Sequence, residues 1–357
     1  MYQYKDLDRF NRAVFQKIGC SEVEAKQASE ILLTSERRGI KSHGLVRLKE
    51  YVNLWKTKRL SENPRFTVVH ETPSTALVDG GKALGLVTAP KAMQLAIDKA
   101  KVAGTGWVAV RNSYHFGIAG YYAMKALEHD MIGICMTNAN PLVAPTFSQK
   151  PMLGTNPMAF AIPAGKQPPY VADFATAPVA RGKLDMMHDK GENAPEGLVQ
   201  DKIGEASVQA DILSYGGAIK TLGGSMIRGG HKGYCLSATV DILTAVLSGA
   251  NFGPTVVPTL GYLKMTEGMI DKGIGHFFGA MRIDAFQTAQ EFKKQMDDWI
   301  NTFRHATPVK GEAEVLIPGD PERLAELEAD KYGIQLSQAA IDTAKMLANE
   351  FDIPFVK

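Results

Sequence analysis

Residues 104–109 read GTGWVA and match the Gly-x-Gly-x-x-Ala loop that cradles a dinucleotide pyrophosphate between a strand and a helix. Here the context is reversed. Residues 87–103 carry helical periodicity, and the following GWVAVR (106–111) is a valine-rich strand. The glycines are therefore predicted to end a helix rather than to open one, and any nucleotide must be held by another arrangement. Walker-type phosphate loops, His-Glu-x-x-His and Cys-x-x-Cys are absent as well.

Outward from this point the pattern alternates strand and helix. Strands are predicted within 66–79 (FTVVHETPSTALVD), then a helix over about 117–129 and strands at MIGICMT (131–137), MAFAIPA (158–164) and PYVADF (169–174). Residues 183–230 read as loops and short helices. A helix at CLSATVDILTAVLSG (235–249), a strand at GHFFGAMRI (275–283) and amphipathic helices near 285–304 and 337–351 complete the chain. Residues 5–60 read as helices. One of them opens on a Ser-x-x-Glu capping box (Ser21, Glu24) and closes on Arg37-Arg38-Gly39. This order describes an α/β core with helical ends that pack together.

Composition narrows the function. With 40 Lys+Arg against 38 Asp+Glu the charge is balanced, which leaves no electrostatic footprint for nucleic acid or an acidic membrane surface. No stretch approaches the ~18–20 apolar residues that span a bilayer, and the N-terminus lacks a signal core, so a cytoplasmic protein is expected. Cys20, Cys135 and Cys235 are too scattered for a disulfide framework or metal cluster. Cys135 and Cys235 read as small core residues.

Polar residues concentrate in a few places. In SHGLVR (42–47), Ser42 is placed to cap a helix whose apolar positions are Leu45, Leu48, Tyr51, Val52 and Trp55. His43 and Arg47, four apart, would share its first turn and present a carboxylate-binding pocket beside an imidazole able to pass a proton. The same positive field disfavours a charged His43. In RNSYHFGIAGYYA (111–123), His115 sits at a strand exit, and Gly117, Ala119 and Gly120 suggest close approach of a ligand or another backbone. Asp173 lies in an apolar strand end and requires a partner, for which a histidine is the obvious choice. Lys232, at a helix start, suits a phosphate. Each feature alone reads equally as a surface pair, a loop histidine or a solvated lysine.

Together with GTNPMAFAIPA (154–164), DFATAPVARGK (173–183), HKGYCLS (231–237) and IPGDPE (317–322), these segments resemble the type-2 malate/L-lactate dehydrogenase family, whose members also act on ureidoglycolate, sulfolactate, diketogulonate and cyclic imines. The resemblance implies a non-Rossmann, sulfolactate-dehydrogenase-like α/β fold, a mixed sheet with helices on both faces and a helical domain formed by the termini. It divides the chain into a helical part (1–65), a nicotinamide-cofactor-binding α/β domain (66–280) and C-terminal helices packing back (281–357). It further implies a homodimer using NAD or NADP, with no metal. His43, His115, Arg47 and Ser42 are then catalytic, and Asp173, Phe174, Ala175, His231, Lys232 and Gly319 contact the cofactor. Malate/oxaloacetate is the first expected substrate, because a dicarboxylate would use the cations around residues 37–47. A cyclic imine-2-carboxylate, ureidoglycolate, sulfolactate or diketogulonate is the alternative. His43 is expected to be the proton donor, with His115 orienting the substrate or sharing the proton relay. A reading from another class is a metal-dependent lyase or hydrolase with His43, His115 and Asp173 as ligands.

Overall fold

The computed structural model describes residues 1–258 and 270–355. Helices α1 (Tyr4–Lys17) and α2 (Glu22–Arg37) open it, and after two short 3-10 turns comes α3 (Leu48–Lys56). The capping box is formed: the Glu24 N–H donates to Ser21 Oγ at 3.3 Å and the Ser21 N–H to Glu24 Oε2 at 3.1 Å. Strands β1 (Thr67–Glu71) and β2 (Thr75–Ala83) lead to α4 (Gly85–Ala103), β3 (Thr105–Ser113), α5 (Ala119–Lys125) and β4 (Met131–Thr137). Next come β5 (Val143–Ala144), β6 (Met158–Ile162), β7 (Tyr170–Phe174), α6 (Arg181–Asp189), β8 (Val199–Gln200), β9 (Ala206–Ser207) and β10 (Ala218–Lys220). Helix α7 (Gly230–Asp241), strand β11 (Ile274–Arg282) and helices α8 (Ala289–Arg304), α9 (Asp320–Tyr332) and α10 (Gln338–Phe351) finish the chain.

The main sheet has the order β1-β2-β3-β11-β4-β6-β7. Only β2 and β3 run parallel in it, so it is a mixed sheet. Strand alternation separates two apolar faces. Val108, Val110, Cys135, Ala159, Ala161, Phe278 and Ala280 belong to the large core built with α4 and α5. Met136 and Met158, with Phe160 and Phe277, pack on Val240 of α7 from the other side. The GTGWVA stretch serves this packing. Gly104 ends α4 in the left-handed region (φ 84°). Gly106 lets the helix backbone settle on the strand, since a Cβ there would stand 2.0 Å from the Ala96 carbonyl oxygen.

Residues 183–230 depart from the expectation of loops and short helices. Besides α6 they contribute β8, β9 and β10 to a second sheet, ordered β5-β10-β8-β9. Helix α9 was not foreseen either, and α7 starts at Gly230 and runs into a π turn at Ile242–Val246. Cys135 is buried, but Cys235 lies exposed on α7 rather than in a core.

The chain ends meet. Tyr2 and Ile334 exchange backbone hydrogen bonds of 2.8 and 2.9 Å, and Phe355 stacks on Tyr2 and meets Phe10 edge-on. Arg37 reaches Asp330 of α9 at 2.7 Å, and Arg38 reaches Glu326 at 3.2 Å. Among the described residues no helix is long and apolar enough to cross a membrane.

Candidate active site

The stretch between α2 and α3 is not one capped helix. Gly39 (φ 75°) reverses the chain, and two 3-10 turns follow, Lys41–His43 and Leu45–Arg47, joined at Gly44. Ser42 is therefore no N-cap. Its Oγ lies 2.8 Å from Nδ1 of His43 and fixes that ring instead. Beneath the turns sits Glu36, buried at the end of α2, whose Oε1 accepts the Leu45 N–H at 2.8 Å. Burial pushes the Glu36 carboxyl up to about 7, against the Leu45 hydrogen bond and the charge of Lys41. A side chain at residue 44 would collide with this carboxyl, its Cβ falling 2.0 Å from Oε1.

Arg47 donates from Nε to the Ser42 carbonyl at 2.6 Å and from Nη1 to Glu50 at 2.5 Å. Among the described residues nothing accepts from its Nη2, which remains the edge available to a carboxylate. His115, just beyond β3, stacks on His43 with ring centroids 5.5 Å apart. Tyr51 of α3 approaches Nδ1 of His115 at 2.8 Å, and the Gly117 N–H points at the same nitrogen at 3.4 Å. An amide can only donate, so Nδ1 carries the lone pair and Nε2 the proton. Burial, reinforced by Arg47, holds His43 down to about 3. Burial and then the charges of His43, Arg47 and His276 hold His115 well below its ordinary value. Both imidazoles are neutral in the free site.

Asp173 does not pair with a histidine. Its Oδ2 accepts the Gly120 N–H of α5 at 2.7 Å, and burial raises the carboxyl to about 6. Gly120 is thus small to admit Asp173, since a Cβ there would lie 2.8 Å from Oδ2. This also removes Asp173 from the ligand set imagined for a metal enzyme. Among the described residues no group of three His, Cys, Asp or Glu side chains stands close enough to hold a metal ion. The cations at 37 and 38 are not in excess, for α9 already neutralises them.

The remaining candidate residues gather along β7. The Val171 N–H donates to Pro318 at 3.0 Å, which brings the Gly319 loop (φ 101°) to one end of the strand. At the other end, beyond Phe174 and Ala175, the Leu222 N–H donates to the Thr176 carbonyl at 3.3 Å. Thr221 holds the Gly230 carbonyl at 2.7 Å, which seats the start of α7 with His231 and Lys232. Phe174 is 38% exposed, Lys232 is exposed, and Nδ1 of His231 is buried without a partner. Asp173, through Gly120, links this group to the helix that follows His115.

The family model described as malate/L-lactate dehydrogenase matches residues 2–345. The chain belongs to this family. Family relatives include a malate dehydrogenase of Pyrococcus abyssi, 39% identical over 98% of this chain and 94% of that one. A malate/(S)-sulfolactate dehydrogenase of Methanothermus fervidus is 37% identical over 95% of each chain. Among solved structures, a malate dehydrogenase from Entamoeba histolytica superposes with a TM-score of 0.91 at 33% identity, covering 99% of this chain and 98% of that one. Membership makes the chain an oxidoreductase of the hydroxyacid dehydrogenase kind with a mixed α/β fold. Within this family member, Tyr51, Glu36 and His276 escaped the sequence reading. Tyr51 stands four residues after Arg47 and was counted only as an apolar position, although its hydroxyl needs a partner when buried.

Proposed function

We propose that the protein interconverts a small 2-oxo acid and the L-2-hydroxy acid with NAD(H) or NADP(H), and that malate/oxaloacetate is its first substrate. The stacked His43–His115 pair beside the open edge of Arg47 carries this reading. Malate rests on the Pyrococcus abyssi and Entamoeba histolytica enzymes, since Arg37 and Arg38, two of the cations that first suggested a dicarboxylate, are paired with α9.

The groups along β7 suit a nicotinamide dinucleotide. Phe174 offers an exposed ring, Lys232 a cation in the first turn of α7, and His231 an unused buried nitrogen. When bound, that cofactor supplies or accepts the hydride. Arg47 holds the substrate carboxylate through Nη2, beside the Glu50 carboxylate that already orients it. The Nε2–H of His115, its tautomer fixed by Gly117 and Tyr51, donates to the substrate carbonyl oxygen and orients it. His43 delivers the proton to that oxygen from Nε2, since Ser42 occupies Nδ1. The substrate's negative charge offsets the field of Arg47 and favours the protonated ring when it is needed. In the oxidation direction His43 is already the neutral base.

The apolar side chains Ile242, Val246 and Leu247, each more than half exposed at the end of α7, support a homodimer through that face. Absorbance at the reduced-nicotinamide band, with oxaloacetate, pyruvate, sulfopyruvate and a cyclic imine-2-carboxylate against both cofactors, tests the function. Fastest turnover of oxaloacetate is expected. Faster turnover of another acid moves the substrate assignment, and no turnover of any refutes the reading.

A further inference from the structure

His276 lies on β11 and is fully buried. Its Nε2 is 2.9 Å from Ser113 Oγ, at the end of β3. Its Nδ1 is 2.8 Å from Thr137 Oγ1, at the end of β4. The Phe116 ring stacks on it at 4.7 Å and 11°. Residues 113 and 116 therefore both rest on one imidazole. Between them stands His115.

We propose that His276 is the positioning residue for His115: it grips the loop on both sides of that histidine and fixes where its ring meets Tyr51 and His43. His276 itself moves no proton, because both of its nitrogens are committed within the core. Burial also holds His276 itself down to about 3. Thr137 anchors the grip from the opposite strand, its hydroxyl 3.0 Å from both the Asn138 and Gly275 carbonyls. A catalytic ring on a loop gains its precision from such a support, and a misplacement of about 1 Å is enough to cost on the order of 10²-fold in rate.

The inference rests on the role proposed for His115, so the test reads that ring directly as well as through turnover. His276→Phe keeps the bulk and the stack on Phe116 but removes both nitrogens. His276→Gln restores one amide within reach of Ser113. With 15N-labelled histidine, the parent should show His115 as a single Nε2–H tautomer, and His276→Phe should show a mixture. In His276→Phe, kcat should fall about 10²-fold with KM for the cofactor unchanged, and His276→Gln should recover part of it. If His276→Phe fails to fold, His276→Gln decides, with a smaller fall in kcat and a shifted His115 signal expected. A folded variant with the parent's His115 signals and kcat overturns the inference. If His115→Gln leaves turnover intact, the underlying role of His115 fails instead, and the 15N result still judges the grip.

Discussion

Replacing Gly44 with alanine is the most direct perturbation of the turn that carries Ser42, His43 and Arg47. The new Cβ would lie 2.0 Å from Oε1 and 2.3 Å from Cδ of Glu36, so the carboxyl must swing away. That movement breaks the 2.8 Å bond from the Leu45 N–H and leaves a buried donor and a buried acid unpaired. Losing a hydrogen bond to such a group costs on the order of 1.5–3 kcal/mol, and the upper end applies because Oε2 of Glu36 already has no partner. Since Gly44 joins the two 3-10 turns, the displacement separates His43 from Arg47, and kcat/KM for the oxo acid should fall about 10²-fold, the kinetic equivalent of about 3 kcal/mol. The assay compares Gly44→Ala, Glu36→Ala and the double variant, both in kcat/KM and in denaturant midpoint. Truncating Glu36 removes the obstacle, so the double variant should be no worse than Glu36→Ala alone. Parental behaviour of Gly44→Ala, or losses that simply add in the double variant, would refute this account of the turn.

Three further outcomes follow from the geometry. Arg47→Met should raise KM for the oxo acid by roughly 10²-fold, about 3 kcal/mol for a charge-assisted pair, with cofactor affinity unchanged; an unaltered KM removes Arg47 from the site. Because His43 is held down to about 3, its base form is complete at neutral pH, so kcat/KM for hydroxy-acid oxidation should stay level on the acid side through about pH 6.5, where an unperturbed histidine would halve it; a limb at that pH argues against His43 as the base. Asp173 has its carboxyl raised from 3.8 to about 6, so its contribution to stability is complete below 3.8 and is lost as the pH climbs through 6. Asp173→Asn, which keeps an acceptor for Gly120, should therefore stabilise the protein at about pH 8, by at most ~3 kcal/mol, and not near pH 3; equal unfolding midpoints for variant and parent at both values would contradict the assignment.

What could be read without coordinates was whatever depends on neighbours in the chain. The capping box of α2, the helix-ending Gly104 and the strand at 131–137 are decided within a few residues of themselves. His43 and Arg47 were brought together for the same reason, although the helix expected to join them is a pair of 3-10 turns around Gly44. Asp173 is read as needing a histidine and meets an amide instead, because which donor faces a strand end is decided by the helix packed against the sheet, here α5, and not by the strand. Strands of two residues, such as β5, β8 and β9, are too short for alternation to show. α9 hid because charged residues stand on nearly every side of it and little of its surface is apolar core contact, its ties to α2 including ion pairs with Arg37 and Arg38.

The placement of β11 has a consequence for how the protein is made. β3 and β4 leave the ribosome early, separated by one short helix, yet neither can pair with the other: the slot between them is reserved for a strand synthesised much later. Until residues 274–282 arrive, the nascent chain carries two half-sheets whose inner edges are bare, the condition under which partly made proteins stick to one another. Ser113 and Thr137 wait on those edges for His276. Chains cut short before β11 should therefore gather in inclusion bodies rather than persist as smaller soluble domains, and the same late strand that closes the sheet also sets the support beneath His115.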